Sequence, residues 1–283
     1  MSIGHSNFGP LVSTSWLAQN LGANNLVVLD ASWHMPNTGR NGYQEYQTCH
    51  IENAQFFDID LIADTASDLP HMMPNEAKFA QIIGQMGINN ESAIVVYDSA
   101  GIFSAPRVWW MFRHMGHENV TVLDGGLKKW LAEGRKTIAT PNEPTAQKFA
   151  PKIAPNLVRS FAEILANVET KKAQIIDARG APRFLGEVPE PRAGLKSGHI
   201  KGSLNLPFAN LLNPDSTMID DEAIKAEFTK IGVDLNLPII TTCGSGVTAC
   251  ILALALAKLG KNEVPIYDGS WSEWGAIERA PIE

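Results

Sequence analysis

Cysteine is scarce in this chain: Cys49, Cys243 and Cys250 are the only three among 283 residues. So odd and sparse a set does not make a disulfide framework and fits a reduced, cytoplasmic protein. None of the three forms a CxxC pair, which argues against a zinc site or a thioredoxin-type dithiol. Runs of Lys or Arg are also missing, and the formal net charge is -7. A broad basic surface for nucleic acid is therefore excluded, and any bound anion must be met by a few placed groups. The longest apolar run, Val247 to Ala257, ends at Lys258, well short of the ~20 residues that span a bilayer. It reads as a buried helix, with no membrane partner. The first residues, Met1-Ser2-Ile3-Gly4-His5, have neither the basic region nor the apolar core of a signal peptide, so export is not expected.

What is present is an ordinary globular composition, 45% hydrophobic and 19% charged, enough for one large or two medium domains. The apolar run Leu26 to Leu29 leads into Asp30-Ala31 and predicts a buried strand entering a loop. The same grammar returns at Gln174-Ile175-Ile176-Asp177-Ala178. Each is followed by a His-Ile pair, His50-Ile51 and His199-Ile200, and then by another apolar segment. Sliding the chain by 144 residues lays Val95-Val96 on Ile239-Ile240, Ser104-Ala105 on Thr248-Ala249, Asp124-Gly125 on Asp268-Gly269 and Trp130 on Trp274 without a gap. The chain is thus an internal duplication of one α/β unit, in which strands alternate with helices as in a parallel sheet covered on both faces. Prolines 141, 144, 151 and 155 punctuate a polar stretch between the copies. The expected organisation is an N-terminal domain over 1–139, a linker over 140–156 and a C-terminal domain over 157–283.

The most chemically suggestive stretch is Cys243-Gly244-Ser245-Gly246-Val247-Thr248. It predicts a strand, a glycine-bearing loop headed by a thiol, and a helix start, where loop N–H groups and the helix dipole would stabilise an anion. The alternative is a structural thiol ahead of a core helix. In the gapless register the first copy has Ser99 at the place of Cys243, so only the second copy carries the thiol. The first copy then serves as scaffold and as a wall of a cleft. A cysteine-dependent phosphatase would need an arginine six residues after the nucleophile, where this chain has Ala249. Trp109 and Trp110 read as core, Cys250 as a packing residue on the following helix, and Cys49 as a half-exposed thiol.

The loop resembles the active-site loop of the 3-mercaptopyruvate sulfurtransferases, two-domain members of the rhodanese superfamily. The likeness extends through Leu29-Asp30-Ala31-Ser32-Trp33, Phe56-Phe57-Asp58-Ile59-Asp60, Ser104-Ala105-Pro106-Arg107, Pro189-Glu190-Pro191-Arg192, Gly198-His199-Ile200 and Tyr267-Asp268-Gly269-Ser270-Trp271. The resemblance implies two tandem rhodanese-like domains, the first without the catalytic cysteine. It implies Cys243 as a nucleophile that takes sulfur from 3-mercaptopyruvate as a persulfide, releases pyruvate and passes the sulfur to cyanide or a thiol such as thioredoxin or glutathione. No metal or organic cofactor is implied. Ser245 matches a loop serine that helps protonate the leaving enolate, and Asp60 and His71 match groups that could orient it as a relay. Arg183 and Arg192 match the pair that holds the substrate carboxylate, a role suited to planar, permanently charged guanidinium groups. Gly244, Gly246, Val247 and Thr248 complete the substrate-binding loop. The related thiosulfate:cyanide sulfurtransferases carry basic residues after the cysteine, whereas Gly244 and Ser245 are neutral and favour a monoanion. A third reading, a rhodanese-type module without catalysis, is disfavoured by Cys243 and both arginines.

Overall fold

Short runs of buried, largely aliphatic residues determine where the two sheets form. The computed structural model describes residues 3 and 9–283, so Met1, Ser2, Gly4 and His5 of the stretch read for a leader lie outside it. In the N-terminal half the strands are β1 (Leu11–Val12), β2 (Leu26–Asp30), β3 (His50–Ile51), β4 (Ala54–Phe56), β5 (Ala93–Tyr97), β6 (Val120–Leu123) and β7 (Thr137–Ile138). Five of them make an all-parallel sheet in the order β1-β6-β5-β2-β4, while β3 and β7 form a separate antiparallel pair. Every residue of β5 is buried. Its continuous Ala-Ile-Val-Val-Tyr sequence has no polar alternation because both faces of a parallel sheet are covered.

The C-terminal half repeats the plan with β8 (Val158–Arg159), β9 (Gln174–Asp177), β10 (Leu204–Asn205), β11 (Ile239–Thr242) and β12 (Ile266–Tyr267). These pair in parallel in the order β10-β9-β11-β12-β8. Parallel neighbours need a crossover. Helix Ala105–His114 connects β5 to β6, and helix Ala249–Lys258 connects β11 to β12. The second of these is the predicted apolar helix, buried from Ala249 to Ala257. Trp109 and Trp110 are also buried, as expected of core residues.

The described residues form two units: those up to 65, 73–154 and 213–218 in the first, and 66–72, 155–212 and 219–283 in the second. His71 therefore belongs to the second unit although its position in the chain lies within the first repeat. The proline-rich stretch after the first repeat is tied to the first unit as far as Ala154. The N–H of Gln147 donates to Gly84 O, that of Lys152 to Met115 O and that of Ala154 to His114 O. Gly84 permits this approach, since a Cβ there would lie 2.6 Å from Gln147 O. Phe149, buried, meets Phe79 and Phe112 edge-on.

Candidate active site

Strand β11 delivers the chain at Thr242 directly into the Cys243–Thr248 loop, and Ala249 opens the following helix. Gly246 takes a φ of 75°, a left-handed conformation that suits glycine. Ser270 ties the loop from beneath. Its hydroxyl accepts the N–H groups of Cys243 (3.3 Å) and Gly246 (3.0 Å) and donates to Tyr267 O at 2.8 Å. Ser270 is wholly buried and holds φ at 51°, an unfavourable value for a side-chain-bearing residue. The loop carbonyls are also engaged: Cys243 O accepts from Trp271 N–H, and Gly244 O accepts from the N–H and hydroxyl of Ser272. The N–H groups of Gly244, Ser245, Val247 and Thr248 have no protein acceptor among the described residues. Cys243 is 2% exposed and Ser245, two residues on, is also buried. Cys250 donates its thiol to Gly246 O at 3.2 Å and is fully buried, as its predicted packing role requires. Cys49 is half-buried with its Sγ 3.4 Å from Thr137 Oγ1.

The duplicate loop corrects the gapless register and shows what such a loop holds. Ala31 N–H donates to Tyr97 O as Ala178 N–H donates to Thr242 O, and Leu127 N–H donates to Asp98 O as Trp271 N–H donates to Cys243 O. Asp98, not Ser99, therefore occupies the place of Cys243. The first loop has one more residue before the Ser104-Ala105 match, so sliding the sequence without a gap placed its head one position late. The Asp98 carboxylate fills the loop: Oδ1 accepts N–H groups from Ala100 (3.0 Å) and Gly101 (2.9 Å), and Oδ2 accepts those of Phe103 (2.8 Å), Ser104 (2.9 Å) and Ala105 (2.8 Å). A loop of this build gathers several N–H groups on one anion. In the first copy the anion is a fixed carboxylate; in the second the corresponding position is a thiol. Ser99 instead directs its hydroxyl to Glu45 at 3.3 Å.

Arg183 reaches the loop. A Cβ at Gly244 would lie 3.0 Å from Arg183 Nη2, so the missing side chain leaves room for the guanidinium against the loop at Gly244. The same guanidinium clasps Glu190, Nε to Oε1 at 3.2 Å and Nη2 to Oε2 at 2.5 Å. The Glu190 side chain is only 2% exposed, a burial that sequence reasoning does not reveal. Such reasoning overlooked Arg179 entirely. The Arg179 side chain is fully buried, bonds both oxygens of Asp177, donates to Glu190 Oε1 at 2.9 Å and to Gly198 O at 2.9 Å, and lies 4.3 Å from the Trp271 ring centre. Burial pulls the Arg179 pKa down, but the charges and hydrogen bonds of Asp177 and Glu190 outweigh it and leave it raised. The available signal was its place in Asp177-Ala178-Arg179, where the duplicate reads Asp30-Ala31-Ser32. Arg192 is half-buried in the turn after Pro191. His71 is buried with φ at 60°. Asp60 belongs to the first unit, where its Oδ2 accepts the Trp33 indole N–H at 2.9 Å. The structure thus brings Arg183 and the loop residues together in the second unit, with Asp60 in the other unit.

Fold and site define a tandem α/β protein with one thiol-headed loop and one copy of that loop closed by its own carboxylate. The chain belongs to the rhodanese family of sulfurtransferases: a rhodanese-like domain is matched twice, over residues 13–133 and 160–277. The mitochondrial thiosulfate/3-mercaptopyruvate sulfurtransferase 1 of Arabidopsis thaliana is 45% identical, the match covering 97% of this chain and 78% of that protein. Rat thiosulfate sulfurtransferase is 46% identical over 96% of this chain and 93% of its own. Human 3-mercaptopyruvate sulfurtransferase is 42% identical over 93% and 91%. Among solved structures, SseA from Escherichia coli, described with the 3-mercaptopyruvate sulfotransferases, superposes with a TM-score of 0.85 at 38% identity, covering 93% of this chain and 99% of that one.

Proposed function

We infer that the second unit transfers sulfur from 3-mercaptopyruvate to a thiol or to cyanide through a persulfide on Cys243. The observation that carries this reading is the Asp98 carboxylate seated on five N–H groups in the duplicate loop, at the place where the second loop puts Cys243. A thiolate and a persulfide are both anions of the kind such a loop stabilises. In the first half-reaction the Cys243 thiolate attacks the sulfur of the donor. The S–S bond forms, the donor's C–S bond breaks, and its electron pair leaves on carbon as the enolate of pyruvate. Protonation of that carbon gives pyruvate, with the Ser245 hydroxyl as the proposed proton donor and His71, in the same unit, as the group that would orient it. In the second half-reaction an acceptor thiolate, such as that of thioredoxin or glutathione, or cyanide, attacks the outer sulfur and frees the Cys243 thiolate. Arg183 and Arg192 hold the donor carboxylate, and the N–H groups of Gly244, Val247 and Thr248, with Gly246 making the turn between them, frame the sulfur site.

Gly244 and Ser245 add no charge beside the cysteine, which supports the monoanionic mercapto-acid over thiosulfate. The thiosulfate reading draws support from the rat relative named for that donor. The first unit serves as scaffold, since Asp98 occupies the nucleophile's place. All three cysteines are free, which supports a reducing, cytoplasmic setting. Among the described residues no helix is long and apolar enough to cross a membrane. Steady-state kinetics with both donors tests the substrate assignment: kcat/KM for 3-mercaptopyruvate is expected to exceed that for thiosulfate, and equal or reversed values contradict it.

A further inference from the structure

We propose that Glu190 is a positioning residue that fixes the direction and the effective charge of Arg183, and so favours a monoanionic carboxylate donor over a dianion. The proposal rests on the reading of Arg183 as a carboxylate-binding group. Three observations support it. First, the Glu190 side chain is buried and both of its oxygens are used: Oε1 by Arg179 and Arg183, Oε2 by Arg183. Second, Glu190 is itself anchored, because Arg179 is locked by Asp177, by Gly198 O and by the face of Trp271, leaving the carboxylate little freedom to turn. Third, the pairing takes the Nε–Nη2 side of Arg183, whose side chain remains 27% exposed, and Nη1 has no protein acceptor among the described residues. Nη2 meanwhile lies against Gly244, the residue that follows Cys243 in the loop.

A bidentate carboxylate both orients a guanidinium and cancels much of its field beyond the pair. The cluster holds two guanidinium groups, Arg179 and Arg183, and two carboxylates, Asp177 and Glu190. Its charges therefore balance. Arg183 presents directed N–H donors to a ligand but little excess positive charge, a combination that serves a carboxylate bearing one charge better than thiosulfate bearing two.

The test is steady-state kinetics of Glu190→Gln with 3-mercaptopyruvate and with thiosulfate, alongside wild-type protein. Loss of the charged clasp is expected to raise KM for 3-mercaptopyruvate about tenfold with kcat changed less than about twofold. Unmasking of Arg183 is expected to raise kcat/KM for thiosulfate. A purely structural role would lower both donors together; that result, or no change with either, overturns the proposal. Should Glu190→Gln fail to fold, Glu190→Asp carries the test. It keeps the charge and shortens the reach, so KM for 3-mercaptopyruvate should rise without a gain for thiosulfate, and an unchanged KM or a thiosulfate gain overturns the proposal. Wild-type protein that forms no persulfide with 3-mercaptopyruvate would overturn the functional reading instead.

Discussion

Ser270 and Gly126 occupy matching places in the two copies and share a left-handed backbone, with φ of 51° and 53°. In the first copy a Cβ would strike the Asp98 carbonyl, so glycine is required there. In the second copy a side chain is kept despite the strain because its hydroxyl satisfies two loop N–H groups. Ser270→Ala keeps the strain and removes the hydroxyl that accepts the N–H groups of Cys243 and Gly246 in a buried site. It should cost about 1–3 kcal/mol in denaturant unfolding. Ser270→Gly relieves the strain and should cost less; equal losses would show that the hydroxyl is not what matters. Gly244→Ala should push against Arg183 Nη2 and raise KM for the carboxylate donor while leaving stability within about 0.5 kcal/mol. Asp30 offers a pH test. Burial, the largest influence, together with nearby Asp98, outweighs its hydrogen bonds and raises its pKa from 3.8 to about 6. A carboxyl whose folded pKa lies above its unfolded value destabilises the fold fully above about pH 6, and that cost disappears as pH falls toward 4. Its full size is about 3 kcal/mol. Asp30→Asn should therefore stabilise the protein at pH 8 and lose most of that advantage by pH 4, as read from urea midpoints at the two pH values. An advantage independent of pH contradicts the assignment.

At the scale of elements, much was legible. The strands β2, β5 and β9 announce themselves as short apolar runs, and the helix Ala249–Lys258 as a long one, because burial on every side leaves no room for polar alternation. Leu254 is fully buried in that helix, and Leu254→Ala should cost about 2–5 kcal/mol in equilibrium unfolding, chiefly through the cavity it leaves. Loop register was not legible. Ser104-Ala105 and the residues beyond align with Thr248-Ala249 without a gap, yet one extra residue before them moves the equivalence of Cys243 from Ser99 to Asp98. Only the hydrogen bonds that leave the strand ends decide this. The attachment of the proline-rich stretch to the first unit was hidden for a similar reason: backbone-to-backbone bonds at Gln147, Lys152 and Ala154 have no side-chain signature. Arg179 and Glu190 were present in the sequence as charges, but charge alone does not reveal that a guanidinium and a carboxylate are buried together.

For the molecule as a whole, the duplication supplies the strongest argument about chemistry, because one copy displays a carboxylate gathered on the loop's N–H groups where the other copy has Cys243. The family and the tandem α/β plan were readable from the ordered motifs. The placement of His71 in the second unit was not, since residues 66–72 leave the first repeat's unit without any break in composition. The central claim is that Cys243 alone takes up the donor's sulfur. Intact-protein mass spectrometry after incubation with 3-mercaptopyruvate, with unreacted donor removed, tests it most directly. The wild-type chain should gain the mass of a single sulfur atom, lose it on addition of a thiol acceptor, and show no gain as Cys243→Ser. A wild-type chain that gains nothing, or a Cys243→Ser chain that gains sulfur equally, would contradict the account.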